Sequence, residues 1–382
     1  MATSDRWTGA GWDSMGGGAS NTVSMIRRLP TGEVLIGGMF SSVGGVPARS
    51  IASWDGSAWS PLGAGTDAEV RTVALLPGGG LVAGGDFMSI GGTRASGVAT
   101  QVDGVWSPLG TGVDGYVSAV VGLADGSIVA GGWFSHAGGV EVSHIARWDG
   151  AAWSSLGGGM DNGVASVAEG RDGELYAGGA FSTAGGRPAS SIARWDGRSW
   201  SGLGEGVDGV VRAILVLPDG QLLAGGDFTH AGGQVAYGVA RWDGSQWHAM
   251  GPGIYGSVYS LAINGDGELV AGGAFASTPG GFPGFVTGVR RWNGTAWIPL
   301  GSLTNSTSGV AFLAGGDLVA GGMYYGEGSP GEHVVRWDGS AWQPVAAGPD
   351  GQVLALLKCA NRVVYRKRAD INCPKGIRKR LQ

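Results

Sequence analysis

Cysteine and lysine are absent from the first 357 of the 382 residues. Both cysteines (Cys359, Cys373) and all four lysines (Lys358, Lys367, Lys375, Lys379) fall in the last 25. The body of the chain therefore has no disulfide framework, although a Cys359 to Cys373 bridge stays open in an oxidising compartment. Residues 1–357 carry 16 Arg against 29 acids, a net charge of -13, while residues 358–382 carry a net +8. An acidic body without basic patches cannot neutralise phosphates, which argues against nucleic acid as a partner. The composition break divides the chain into a body, 1–357, and a basic tail, 358–382, which reads as part of a closing element or as non-native in composition. No run approaches the ~18 apolar residues of a spanning helix, and no basic segment followed by an apolar stretch opens the chain. Neither a membrane span nor a secretory signal is expected, and a monomer is the expected state.

Glycine and tryptophan are abundant instead, at 79 and 16 residues. The glycine has no every-third-residue rhythm, so collagen is excluded, and 43% hydrophobic residues exclude disorder. Fifteen of the tryptophans occupy two positions of one repeating unit. The second position is held by Trp12, Trp59, Trp106, Trp153, Trp200, Trp247, Trp297 and Trp342, at spacings of 47 five times, then 50, then 45. Five residues earlier stand Trp7, Trp54, Trp148, Trp195, Trp242, Trp292 and Trp337, with Val102 as the one replacement. Self-similarity at this period is the mark of a radial or stacked array.

Within a unit, Val211 to Leu215 leads through Pro218-Asp219-Gly220 to Gln221-Leu222-Leu223-Ala224-Gly225-Gly226. Asp-Gly between apolar segments predicts a tight hairpin, and two further short strands end at Trp242 and Met250. No helical period is sustained. Four antiparallel strands in about 47 residues, repeated, predict an all-β chain, a β-propeller whose blades bury their faces against each other. The paired tryptophans are then core residues at the blade contacts. Seven complete units run from Val23 to Gly348, with half a unit at each end. Joining the ends predicts an eighth blade closed by strands from both termini. Seven blades is the alternative, because Arg362 to Arg368 lacks the double glycine that should follow.

The order Gly178-Gly179, Trp195-Asp196-Gly197, Trp200, Leu203 resembles the kelch repeat, with Trp in the Tyr place. Ile192 to Gly206 is closer still to the kelch-like repeats of bacterial surface proteins and fungal cortical-marker proteins. The resemblance covers residues 1–357 and implies a propeller, with a bacterial, extracellular or cell-surface setting. It assigns no chemistry, since such scaffolds serve as interaction modules, polarity markers or enzymes. The Gly-His pair of WD repeats is missing, the Asp-box spacing of sialidases does not match, and a copper oxidase of this branch would need a Cys that the body lacks.

Candidate sites follow from the loops. Blade-to-blade loops and second-to-third-strand loops open on one face of a propeller, its usual binding face. Asp67, Asp114, Asp161, Asp208 and Asp350 recur just past each closing glycine, with Ser20 and Tyr255 in the equivalent places. They read as turn-forming residues, or as a crown of carboxylates that attracts a cation or basic partner and suits Ca²⁺. His136 and His230 occupy the position held elsewhere by Ser42, Ser89, Thr183 and Ser277, too far apart to share a metal. Trp133, outside the repeat scheme, is a stacking candidate, and Tyr324, Tyr325 and Glu327 mark the irregular seventh unit. No nucleophile with a base, and no paired acids, are visible. The expected function is a non-enzymatic scaffold that binds a protein or glycan at its loop face, with no cofactor. A carbohydrate-active enzyme at the channel mouth and a filler domain of a larger surface protein are the rivals.

Overall fold

A computed structural model of the chain describes residues 18–276, 288–301, 303, 306–313, 316–323, 333–337, 339–344, 357–359 and 362–364. The described residues form strands and turns without a helix, and none therefore forms a helix long and apolar enough to cross a membrane. Seven four-stranded antiparallel sheets follow one another along the chain. The first is built from Val23–Arg28, Val34–Gly38, Ile51–Trp54 and Trp59–Pro61, hydrogen-bonded in that order, and the next six repeat the plan. The innermost strands begin at Val70, Tyr116, Val164, Val211, Gly256 and Ser306 in blades two to seven.

The tight turns that Asp-Gly predicts join first and second strands, and other pairs ending in glycine make the same turn. Gly32 adopts φ 95° and its N–H donates to Leu29 O at 2.9 Å, a geometry repeated at Gly79, Gly126 and Gly220. The double glycine that ends each second strand serves another purpose, since neither residue has a positive φ. A Cβ on Gly178 would lie 2.4 Å from Val211 Cγ1 of the next blade, and one on Gly179 would lie 2.2 Å from the Gly163 carbonyl of its own blade. The first glycine admits the neighbouring blade and the second admits the bulged inner strand.

The core is accordingly divided. Seven hydrophobic clusters fill seven seams, one between each pair of neighbouring blades. The seam of blades seven and one joins Val319 and Val334 to Val23, Val34 and Ile36, all at most 1% exposed. A Cβ on Gly321 would meet Val23 Cγ1 at 2.7 Å, the contact that Gly178 makes with Val211. The expected eighth blade is therefore corrected to seven: the seventh packs directly on the first, and each blade is one contiguous segment. Residues 1–17, with Trp7 and Trp12, lie outside the described residues. Beyond blade seven, Leu357–Cys359 pairs with Arg362–Val364 as a separate two-stranded hairpin.

The described tryptophans fasten the seams. The second of each pair is at most 6% exposed, and Trp153, Trp200 and Trp247 each donate Nε1–H at 2.8 Å to a leucine carbonyl of the preceding blade. The first of each pair tilts against it with ring centroids 5.4–5.6 Å apart. Burial of an indole with its donor satisfied makes truncation costly: Trp200→Ala should lower unfolding stability by about 3–5 kcal/mol. Gly178→Ala should cost about 1–3 kcal/mol through overpacking. Gly78→Ala, where nothing lies within 4 Å, should be neutral or slightly stabilising. Urea unfolding of the three variants checks the order.

Candidate functional site

The loop-rich end of the ring is organised by a clamp the sequence only half reveals. In blades one to five, the chain leaving the second strand folds into a two-residue β-ribbon, such as Ser42–Val43 with Val46–Pro47. A Gly-Gly pair with positive φ turns each ribbon, at 58° and 74° for Gly44 and Gly45. The crown aspartates hold these ribbons. Asp67 Oδ1 accepts from the amides of Met88 and Ser89 at 2.9 and 3.0 Å, and Asp114 Oδ1 from those of Ser135 and His136 at 2.8 and 2.9 Å. Asp161 does the same for Ser182 and Thr183, and Asp208 for Thr229 and His230. In blade one Ser20 Oγ takes the role, accepting from Ser41 and Ser42.

Partial burial would raise the pKa of these four acids, but the amide and hydroxyl hydrogen bonds outweigh it and hold all four below the ordinary carboxylate range. The two histidines do join the crown, each to its own aspartate: His136 Nδ1 lies 3.0 Å from Asp114 Oδ2, and His230 Nδ1 2.9 Å from Asp208 Oδ2. A hydroxyl completes each set, Ser135 Oγ at 2.9 Å from the His136 ring and Thr229 Oγ1 at 2.9 Å from that of His230. These sets have the composition of a nucleophilic triad without its wiring. Hydroxyl and carboxylate meet the same ring nitrogen, whereas a proton relay needs them on opposite nitrogens. Among the described residues no group of three or more His, Cys, Asp or Glu side chains could hold a metal ion. Asp350, Tyr324, Tyr325 and Glu327 lie outside the described residues.

The channel mouth carries features the repeat pattern did not reveal. Every innermost strand slips register by one residue near its start, a β-bulge falling at Ser24, Arg71, Ser118, Ala165, Arg212, Tyr259 and Ser308. Such bulges re-aim side chains. Arg71 forks onto Asp86, Nε to Oδ1 at 2.6 Å and Nη2 to Oδ2 at 2.9 Å, contacts Glu69 at 3.0 Å, and lies 4.8 Å over the Tyr116 ring of the next blade. Arg212 repeats this with Asp227 at 2.8 Å and Tyr259 at 5.4 Å. Trp133, in the place of Asp86 and Asp227, leans over Gly163 of blade four and meets the His144 ring edge-on at 6.1 Å, with 45% of its surface exposed. Burial lowers the pKa of His144, whose backbone holds φ 71°. Met39 and Met88, on blades one and two of the same face, are 54% and 53% exposed.

Comparison with known proteins agrees on the architecture. A family model described as "Domain of unknown function (DUF5122) beta-propeller" matches residues 123–148 and 217–242, the second and third strands of blades three and five. No curated protein matches the chain. Among solved structures, the WD40 β-propeller domain of Doa1 is similar at 15% identity and a TM-score of 0.56, covering 84% of this chain and 93% of that one. The WD40 repeats of RRP9 are similar at 15% identity and a TM-score of 0.56, with 84% and 94% covered. The extracellular domain of BT4673 from B. thetaiotaomicron is similar at 14% identity and a TM-score of 0.58, with 85% of this chain and 39% of that one covered. At these identities the likeness is one of fold: the chain is a β-propeller.

The clamp has a pH signature. Because the folded-state pKa values are depressed, the stability these carboxylates contribute is present above their unfolded pKa near 4 and is lost as pH falls below it. Asp114→Ala and Asp208→Ala should each cost about 1 kcal/mol or less at pH 7, given their exposure. The double variant should lose less stability than wild type between about pH 4 and 2. Amide hydrogen exchange at Ser135, His136, Thr229 and His230 should accelerate in the same variants.

Proposed function

We propose that the chain is a non-enzymatic, kelch-like binding module whose loop-rich face over blades one to three takes a protein or glycan partner in a surface or extracellular setting. The observation that carries this reading is the exposed arc of Met39, Met88 and Trp133 on three successive blades. Exposed large apolar groups gathered on one face mark interaction sites, and Trp is a frequent binding anchor. The indole is set for that role, backed by His144 and Gly163, so little ordering is required when a partner arrives. Methionines beside it favour a protein over a sugar, since thioethers adapt to apolar side chains. The crown aspartates and the two histidines serve the scaffold in this reading, with each aspartate Oδ1 committed to loop amides, and no cofactor is required. The kelch-like identity rests on the repeat order of double glycine and paired tryptophans. Similarity in fold to an extracellular domain is in keeping with the surface setting.

A photo-crosslinking residue placed at Met88 should capture a partner that the same residue at Ile298, on an outer strand, does not. Trp133→Ala should weaken the captured complex by about tenfold or more while leaving the unfolding midpoint near that of wild type. Equal capture at both positions, or an affinity indifferent to Trp133, would sink the assignment of this face. A glycan array probed in parallel with wild type and Trp133→Ala separates the sugar outcome from the protein one.

A further inference from the structure

The third strands of blades three to seven carry an arginine immediately before the tryptophan: Arg147, Arg194, Arg241, Arg291 and Arg336. In four of these blades an acid in the first turn of the same blade answers it. Arg147 pairs with Asp125 and donates to Ser127 Oγ at 3.0 Å, and Arg194 lies within electrostatic reach of Glu174. Arg291 meets Glu268 at 3.0 Å and Arg336 meets Asp317 at 2.6 Å.

Blade five breaks the pattern, because Gln221 stands where Glu174, Glu268 and Asp317 stand. Arg241 makes no ion pair among the described residues, and its Nε is buried without a partner, as is Gln221 Oε1. Asp219, which aligns with Asp125, accepts from the Gln221 amide at 3.0 Å to close its own turn. The seam beside it is also loosened. Met250 replaces the leucine whose carbonyl receives a tryptophan in five of the other seams, and Trp297 Nε1, like Trp59 Nε1, is buried without an acceptor.

A cleft of about 330 Å³ opens at this seam, on the end of the ring opposite the crown. Leu217, Leu223, Met250, Leu269 and Trp292 line it, and Arg241 is its one charged group. One blade earlier, Tyr176 takes the place of Leu223, buried to 6% exposure with its hydroxyl on Glu174 at 3.0 Å. In blade five the shorter leucine and the missing acid leave both room and an unanswered charge.

We propose that this cleft binds a small carboxylate with an apolar or aromatic body. Arg241 lines the cleft without an ion pair among the described residues, and a guanidinium left so offers the N–H donors that a carboxylate accepts from. The leucines and Trp292 take the body. A neutral ligand of the same shape leaves the charge unanswered and binds poorly.

Isothermal titration of the full chain with 4-phenylbutyrate, and with 4-phenylbutanamide as the neutral counterpart, tests this. The carboxylate should bind and the amide should bind about tenfold or more weakly. Arg241→Met, which keeps the volume of the side chain, should weaken carboxylate binding to the same degree. Gln221→Glu rebuilds the ion pair of the sister blades and should abolish binding while leaving the melting temperature equal to or above wild type, so that loss of binding is distinguished from loss of fold. No binding of the carboxylate at millimolar concentration, equal binding of acid and amide, or undiminished binding by Gln221→Glu would each overturn the proposal.

Discussion

The seam between blades is the constraint on which the rest of this structure depends. A single four-stranded sheet of this length has two faces and cannot bury either alone, so the apolar residues find their partners only across a blade boundary. Each boundary is fitted by a glycine that lets the neighbour's side chains approach, a buried indole, which five of the seven boundaries also tie to the preceding backbone, and a cluster of aliphatic side chains. Because the seventh boundary, between the last blade and the first, uses the same devices as the others, the ring size follows from the geometry of the seam.

The loop face shows how polar residues of the repeat are divided between holding and presenting. One oxygen of each of Asp67, Asp114, Asp161 and Asp208 is taken up by the amides of the ribbon it supports. This explains why the position does not demand a following glycine, as Asp67-Ala68 and Asp161-Asn162 show. What is presented comes instead from positions that vary between blades, where Met39, Trp133 and Ala180 replace one another. Regular positions build the platform and irregular ones give it chemical character.

Much of the fold was legible because packing leaves periodic traces. The tryptophan spacing, the double glycines and the Asp-Gly turns identified the blades, their strands and the core indoles. The blade count was not legible, since the half-units at either end of the repeat resemble a closing blade, and only the packing of Gly321 on Val23 shows that the ring is already shut. The ribbons were hidden because two-residue strands carry no period. The bulges that place Arg71 and Arg212 were hidden because a bulge is a relation between two strands. Arg241 could have been singled out: aligning blades four to seven shows an arginine opposite an acid at the end of the first turn, and Gln221 as the exception among them. That signal lay in a pair of columns rather than in any one motif.

Because each blade is cut from one uninterrupted stretch of chain, no hydrogen-bonded ladder straddles the junction of blades seven and one among the described residues. Tension between residues 18 and 344 would load that junction alone, and it resists through side-chain contact without any backbone zipper. The ring is thus a split washer: its weakest direction is opening at the split, after which the blades remain joined in series by covalent chain. The same construction lets whole blades be duplicated or deleted without rewriting the strand pairing of any other blade, so that the number of repeats can drift while the pattern within each is preserved.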